Sequence, residues 1–164
     1  MNRPKLSQAT RPLTFDIDAI NERGEIVPTA IAGEHPLTIY VDKREIVTLM
    51  TLGAAPEALT LGYLRNQRLI AKQDEIASVQ VDWEVDAVAV TTHHGNGVTA
   101  NRMDKRTVTT GCGQGTVFGD LMAEIDDLEL PPDASLSEAT LYGLLESVRH
   151  HESIYKQAGA VHGC

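Results

Sequence analysis

The sequence predicts an α+β fold, with a mainly antiparallel sheet built of β-hairpins and two helices, and three observations predict it. Leu37-Thr38-Ile39-Tyr40-Val41 alternates apolar and polar residues, and Ile46-Val47-Thr48-Leu49-Met50 returns after the turn Asp42-Lys43-Arg44, which is the pattern of a hairpin. Residues 76–83 and 85–90 alternate in the same way, as strands with one buried face do. Helical periodicity appears between these two pairs and again near the end of the chain. The order hairpin, helix, hairpin, loop, long helix describes a β-grasp-like ββαββ module followed by a helix.

Residues 1–36 are mixed in character and contain Pro4, Pro12, Pro28 and Pro36. Residues 1–33 read as an extended N-terminal arm with one short amphipathic piece, Leu13-Thr14-Phe15-Asp16-Ile17. The α+β module follows over residues 34–130. Its helix is expected from Pro56 to Asn66, because proline in a first turn lacks only an N–H that has no intrahelical partner. Glu57 beside it complements the positive end of the helix dipole. Leu59 and Tyr63 are expected to face inward, with Leu64 a further candidate. Gly62 costs about 1 kcal/mol relative to Ala, which points to close packing against another backbone. His93-His94-Gly95-Asn96-Gly97 is a loop by composition, and Thr107-Val108-Thr109-Thr110 a short strand. Residues 131–164 hold the long helix. Ser135-Leu136-Ser137-Glu138 matches a capping box, Leu141, Leu144, Leu145, Val148 and Tyr155 recur at helical spacing, and Gly159 is a natural stop.

Composition narrows the function classes. With 164 residues, 42% of them hydrophobic, the chain can build a core, and with 4% aromatics that core is mainly aliphatic. A formal net charge of -9 argues against non-specific binding to nucleic acid or to an anionic membrane. No apolar run approaches the roughly 20 residues needed to cross a bilayer, and Met1-Asn2-Arg3-Pro4-Lys5 has no apolar stretch behind it to make a secretory signal. Cys112 and Cys164, the two cysteines, then read as free thiols in a reduced, cytoplasmic protein.

The segment with the most chemical character runs from Arg102 to Gly115 and contains Gly111-Cys112-Gly113-Gln114-Gly115. Flanking glycines give a thiol no side-chain cover and free the backbone, so a large molecule can approach the sulfur. The nucleophile is the thiolate, and nearby cations raise its fraction. Arg102, Lys105 and Arg106 are close in sequence, although an extended strand could also carry them away. The alternative is a small buried cysteine in a turn, since most free cysteines are buried and inert.

Glu34-His35-Pro36-Leu37-Thr38-Ile39-Tyr40-Val41, Thr48-Leu49-Met50 and Leu59-Thr60-Leu61-Gly62-Tyr63-Leu64 form an ordered series with Thr110-Gly111-Cys112-Gly113 and Gly159-Ala160-Val161-His162. From about residue 33 onward this series resembles the formate dehydrogenase accessory sulfurtransferases, the FdhD family. The resemblance implies that Cys112 is the catalytic residue: it accepts sulfur from a cysteine desulfurase as a persulfide and passes it to the molybdenum cofactor destined for formate dehydrogenase. It implies that the cofactor, in its bis(guanine dinucleotide) form, is the bound acceptor, with Gly111, Gly113, Arg102, Lys105 and Arg106 as the residues that would hold it. Many family members carry C-x-x-C here, whereas Gly115 occupies the second position, so no local disulfide can form. The family continues into a second, cytidine-deaminase-like α/β part. The chain is therefore expected to be a truncated form that includes only the start of that part, with an apolar helix face left open to a homodimer contact. A non-catalytic chaperone that binds the cofactor or formate dehydrogenase, and an inactive remnant, are the alternative readings.

Other signals are weaker. His93 and His94, being adjacent, would point to opposite faces of a strand. His162-Gly163-Cys164 offers two donors where zinc usually takes four, so no protein-bound metal is expected. The glycine-rich loop lacks the Lys-Ser/Thr of a P-loop. Trp83 and two Phe residues are too sparse for a stacking platform.

Overall fold

The computed structural model describes residues 3–95, 106–108, 116–118, 128–151 and 153–159. The chain forms two compact units, Met1–Leu13 with Gly33–Glu124 and Thr14–Ala32 with Ile125–Cys164.

The first unit is built on a five-stranded sheet. Its strands are β1 (Lys5–Leu6), β4 (His35–Val41), β5 (Arg44–Thr51), β6 (Ile76–Asp82) and β7 (Ala87–Thr92), in the spatial order β1-β6-β7-β4-β5. β4 and β5 pair antiparallel, as do β6 and β7, so both expected hairpins are present. The hairpins join through β4 and β7, which run parallel, and β1 also adds to β6 in parallel. The first hairpin turns on Asp42 and Lys43, at φ of 45° and 71°. Two left-handed residues are what a twisted two-residue hairpin needs, and Arg44 already belongs to β5. The second hairpin starts its return strand later than the alternation suggested. Asp86 sits at φ 50° and the Asp82 carboxylate accepts the Glu84 N–H at 2.9 Å, so Val85 and Asp86 belong to the turn.

Helix α1 (Pro56–Asn66) lies between the hairpins and covers one face of this sheet, with Pro56 in its first turn. Leu61 and Leu64 pack with Leu37, Ile39 and Val41 of β4 and with Ile76, Val79, Val88 and Val90 of β6 and β7. Each such side chain, fully buried, contributes about 1.5–3 kcal/mol. Two expectations for α1 change. Leu59 is on its exposed side, while Leu64 is buried and Tyr63 packs against the core as expected, with Glu57, Thr60 and Leu61 buried beside them. A Cβ added at Gly62 would meet nothing within 4 Å among the described residues, so Gly62 does not mark a close backbone approach. A short ladder of β8 (Arg106–Val108) and β9 (Thr116–Phe118) also belongs to the first unit.

The second unit contains a hairpin where the sequence reads as an arm. β2 (Thr14–Ile20) and β3 (Ile26–Ala32) pair antiparallel along their full length. Their turn is closed by the Asn21 side chain, which accepts the N–H groups of Arg23 and Glu25, with Gly24 at φ 77°. Helix α2 (Glu138–His150) follows, then α3 (Ile154–Ala158), which lies against β3. The cap of α2 is Ser137 rather than Ser135: its hydroxyl accepts the Thr140 N–H at 3.1 Å, so Glu138 stands in the first turn and not at the third position of a capping box. His151 is extended and separates α2 from α3, so Tyr155 is on a different helix from Leu141–Val148. Gly159 at φ 62° ends α3, as a glycine past a helix end does.

Candidate functional site

Cys112, Gly111, Gly113, Arg102 and Lys105 lie outside the described residues, and so does Gly115. What the structure describes is the ladder on either side of the thiol in sequence. Arg106 pairs with Phe118, Thr107 with Val117 and Val108 with Thr116, so every pair is symmetric in number about position 112. Cys112 is therefore the central residue of the connection 109–115 between the two strands. Arg106 is at the other end of the ladder. Two residues of strand, about 7 Å, separate its backbone from Val108, where the connection begins.

The exposed face of the five-stranded sheet carries a groove of about 1080 Å³. Its floor follows from the register. Tyr40 of β4, Ala89 of β7 and Gln80 of β6 form one row across the sheet, and Ala87 and Asp82 belong to the next. Alanine on the central strand leaves a trough, with Tyr40 rising on one side and Gln80, Asp82 and Trp83 on the other. Lys43 and Gly95 also line it. The Asp42 carboxylate accepts the Thr92 N–H at 3.0 Å and the Thr92 hydroxyl at 2.6 Å, fixing the turn to the end of β7. The Tyr40 hydroxyl donates to Glu45 at 3.2 Å, and the charge of that carboxylate raises the phenol pKa.

One wall of the groove is held by the N-terminal segment. Ser7 donates its hydroxyl to Glu57 Oε1 at 2.7 Å while accepting the Val81 N–H at 2.9 Å, and the Ala9 N–H also reaches Glu57 Oε1, at 2.8 Å. Glu57 is only 6% exposed. Burial alone pushes its carboxyl up, but hydrogen bonds from Ser7 and from the N–H groups of Ala9, Glu57 and Gln8 outweigh that effect, and its pKa is lowered. The Trp83 indole donates to the Ala9 carbonyl, and the Arg11 guanidinium stands 5.1 Å from the ring centre. Gly53, at φ 77°, passes beneath: a Cβ there would come within 3.2 Å of Arg11 Cβ and 3.3 Å of the indole. None of these roles is visible from composition or motif; Glu57 reads in the sequence only as a dipole partner, and Trp83 only as an isolated aromatic.

Among the described residues, no group of three or more His, Cys, Asp or Glu is placed to hold a metal ion. Nor is any helix among them long and apolar enough to cross a membrane.

The sequence pattern of the FdhD/NarQ family matches residues 32–164. This chain belongs to the FdhD/NarQ family. The match takes in β4 through α3, the strands that floor the groove and the Cys112 segment, while β1, Ser7 of the groove wall, β2 and nearly all of β3 precede it. The curated relatives that the chain matches include several named "Sulfur carrier protein FdhD". The one from Listeria monocytogenes serotype 4b (strain F2365) is 25% identical over 138 residues, covering 83% of this chain and 53% of the relative. The one from Bacillus subtilis (strain 168) is 26% identical over 149 residues, covering 86% and 55%. The chain thus spans about half the length of these FdhD proteins. A crystal structure from Desulfotalea psychrophila, of a protein proposed as a formate dehydrogenase accessory protein, superposes with a TM-score of 0.56 at 19% identity. It is matched over 90% of this chain and 54% of that one, and at this identity the likeness is one of fold.

Proposed function

We propose that this chain is a sulfurtransferase of the FdhD type, acting as a sulfur carrier in the maturation of formate dehydrogenase, with Cys112 as the carrier. The observation that carries the reading is the family match over residues 32–164, which places the glycine-flanked Cys112 inside the shared region. The position of Cys112 midway between β8 and β9 supports it, because a hairpin connection is where a nucleophile can be offered to a second large molecule.

The first transfer balances without an outside oxidant. The Cys112 thiolate attacks the terminal sulfur of a persulfide on a cysteine desulfurase. A new S–S bond forms at Cys112, the donor's S–S bond breaks, and the donor cysteine leaves as a thiolate. A free thiol has a pKa of about 8.5, so Arg102 and Lys105 serve by raising the thiolate fraction. The sulfur then passes to the molybdenum cofactor, which is substrate here and not a resident group: the S–S bond at Cys112 breaks, an external thiol reductant supplies the two electrons that bring the departing sulfur to the sulfide level and is itself oxidised to a disulfide, and Cys112 returns as a thiolate. Gly111 and Gly113 leave the backbone open to its approach, and Arg102, Lys105 and Arg106 offer cations to its phosphates. Gly115 in place of a second cysteine means that Cys112 transfers without a neighbouring resolving thiol.

Incubation with a cysteine desulfurase and radiolabelled cysteine tests the carrier role. Label bound to the protein and released by a reducing agent is expected for the natural chain and for Cys164→Ser, and not for Cys112→Ser. A folded natural chain that takes up no label would rule the carrier reading out in favour of a non-catalytic, cofactor-binding one.

A further inference from the structure

The open face of the five-stranded sheet breaks a rule of strand composition at its centre. β7 is an inner strand, and it turns alanines outward at two successive positions, Ala87 and Ala89. Alanine is depleted in strands, where branched and aromatic side chains fill the pleated surface. Such local rules are broken chiefly at functional sites. The neighbours turn the gap into a groove: Tyr40 stands on the β4 side, Gln80 and Asp82 on the β6 side, and Trp83 next to Asp82. Its volume of about 1080 Å³ has room for several residues of chain rather than one small ion.

The charges around the groove select what it takes. One oxygen of Asp82 accepts the Glu84 N–H at 2.9 Å, and the other has no partner among the described residues. Asp42, bound to Thr92, lies at the opposite end and adds its charge, and Glu45 joins Tyr40 from the next strand. Lys43 is the single cation among the described lining residues. An anionic ligand would therefore meet Asp42 and Asp82 against one lysine. A cation on a methylene stem fits instead: the stem covers the alanine floor while the charge stays at the carboxylate. Trp83 already has the Arg11 guanidinium 5.1 Å from its ring centre, so this indole tolerates such a neighbour.

We infer that the groove binds a short, extended, basic segment of a partner polypeptide, with an arginine or lysine placed at Asp82. Thr38 and Asp82 belong to the same row across the sheet, and from Thr38 to Asp42 is four residues of β4, about 13 Å. The groove therefore matches about four residues of extended chain. Lys43 at the turn end repels a second cation there, which directs the basic residue to the Asp82 end. The site is independent of the sulfur chemistry and holds whether or not Cys112 carries sulfur.

Trp83 is the single tryptophan of the chain, so its fluorescence reports on the groove directly. The test titrates the full chain, to millimolar peptide, with a blocked pentapeptide carrying one arginine among alanines. The same peptide with glutamate for arginine is the comparison. A saturable change in emission, weakened by salt, is expected with the arginine peptide and none with the other. Asp82→Asn keeps an acceptor for the Glu84 N–H, and is expected to weaken binding about two- to fivefold, the range of an exposed ion pair. Ala89→Tyr fills the trough at an exposed strand position and is expected to abolish binding, whereas Lys43→Glu should strengthen it. Circular dichroism checks that each variant keeps its fold. No saturable response, or an equal response to both peptides, would overturn the inference. Binding that either Asp82→Asn or Ala89→Tyr leaves unchanged would overturn it equally.

Discussion

Ser7 donates its hydroxyl to Glu57 at 2.7 Å, joining two residues 50 apart in sequence at the point where the N-terminal segment crosses the start of α1. The same hydroxyl accepts from Val81 of β6, so one side chain links the helix, the sheet and the arm. A buried carboxylate is tolerated here because its hydrogen bonds favour the charged form more than burial disfavours it.

Stability is therefore expected to depend on pH through Glu57. Its pKa is lowered in the folded chain from an ordinary value of 4.5. The stabilisation is present above about pH 4.5 and is lost as the pH falls through the lower, folded value. Glu57→Gln should flatten that acid limb, measured by denaturant unfolding at a series of pH values. Glu57→Ala at neutral pH should cost about 1–3 kcal/mol, because the Ser7 hydroxyl and the Ala9 N–H lose their acceptor. Identical pH profiles for the natural chain and Glu57→Gln would refute this role.

Gly53 and Gly62 are expected to respond oppositely to alanine. Gly53 has φ 77° and only 3.2–3.3 Å to Arg11 and Trp83, so Gly53→Ala should destabilise by about 1–3 kcal/mol. Gly62 is helical with open space at its Cβ, so Gly62→Ala should stabilise by about 0.5–1 kcal/mol. Thermal unfolding of the two variants side by side decides both signs.

Leu64, fully buried between α1 and the sheet, sets the scale of the core. Leu64→Ala should cost about 2–5 kcal/mol, whereas Leu59→Ala, on the exposed side of the same helix, should change stability by less than about 1 kcal/mol. Equal losses at the two positions, read from chemical denaturation, would contradict the observed facing of α1.

Much of the first unit was legible because its signals are local. Pro56 opens α1 in the sequence and in the structure, and the alternation of Leu37, Ile39 and Val41 marks the buried face of β4. The β2–β3 hairpin was harder to see. Pro28 lies within β3, and Phe15, Ile17, Ile20 and Ile26 all remain exposed, so no buried face imposes a clear alternation. The cap of α2 shifted by two residues because two serines compete and Thr140 supplies the partner for the later one. The groove was invisible, since Tyr40, Gln80 and Ala89 come from three strands and meet only through a parallel β4–β7 pairing that no local pattern announces. The arm's grip on Glu57 is hidden for the same reason: its partners are separated by about half of the described sheet's sequence span.

The carrier role of Cys112 is tested most directly by peptide-resolved mass spectrometry after exposure of the folded chain to a cysteine desulfurase and cysteine. One added sulfur atom on the peptide containing Cys112, removable by reductant and absent in Cys112→Ser, is the predicted result. An unmodified Cys112 peptide beside a persulfidated Cys164 peptide, or no added sulfur at all, would contradict it.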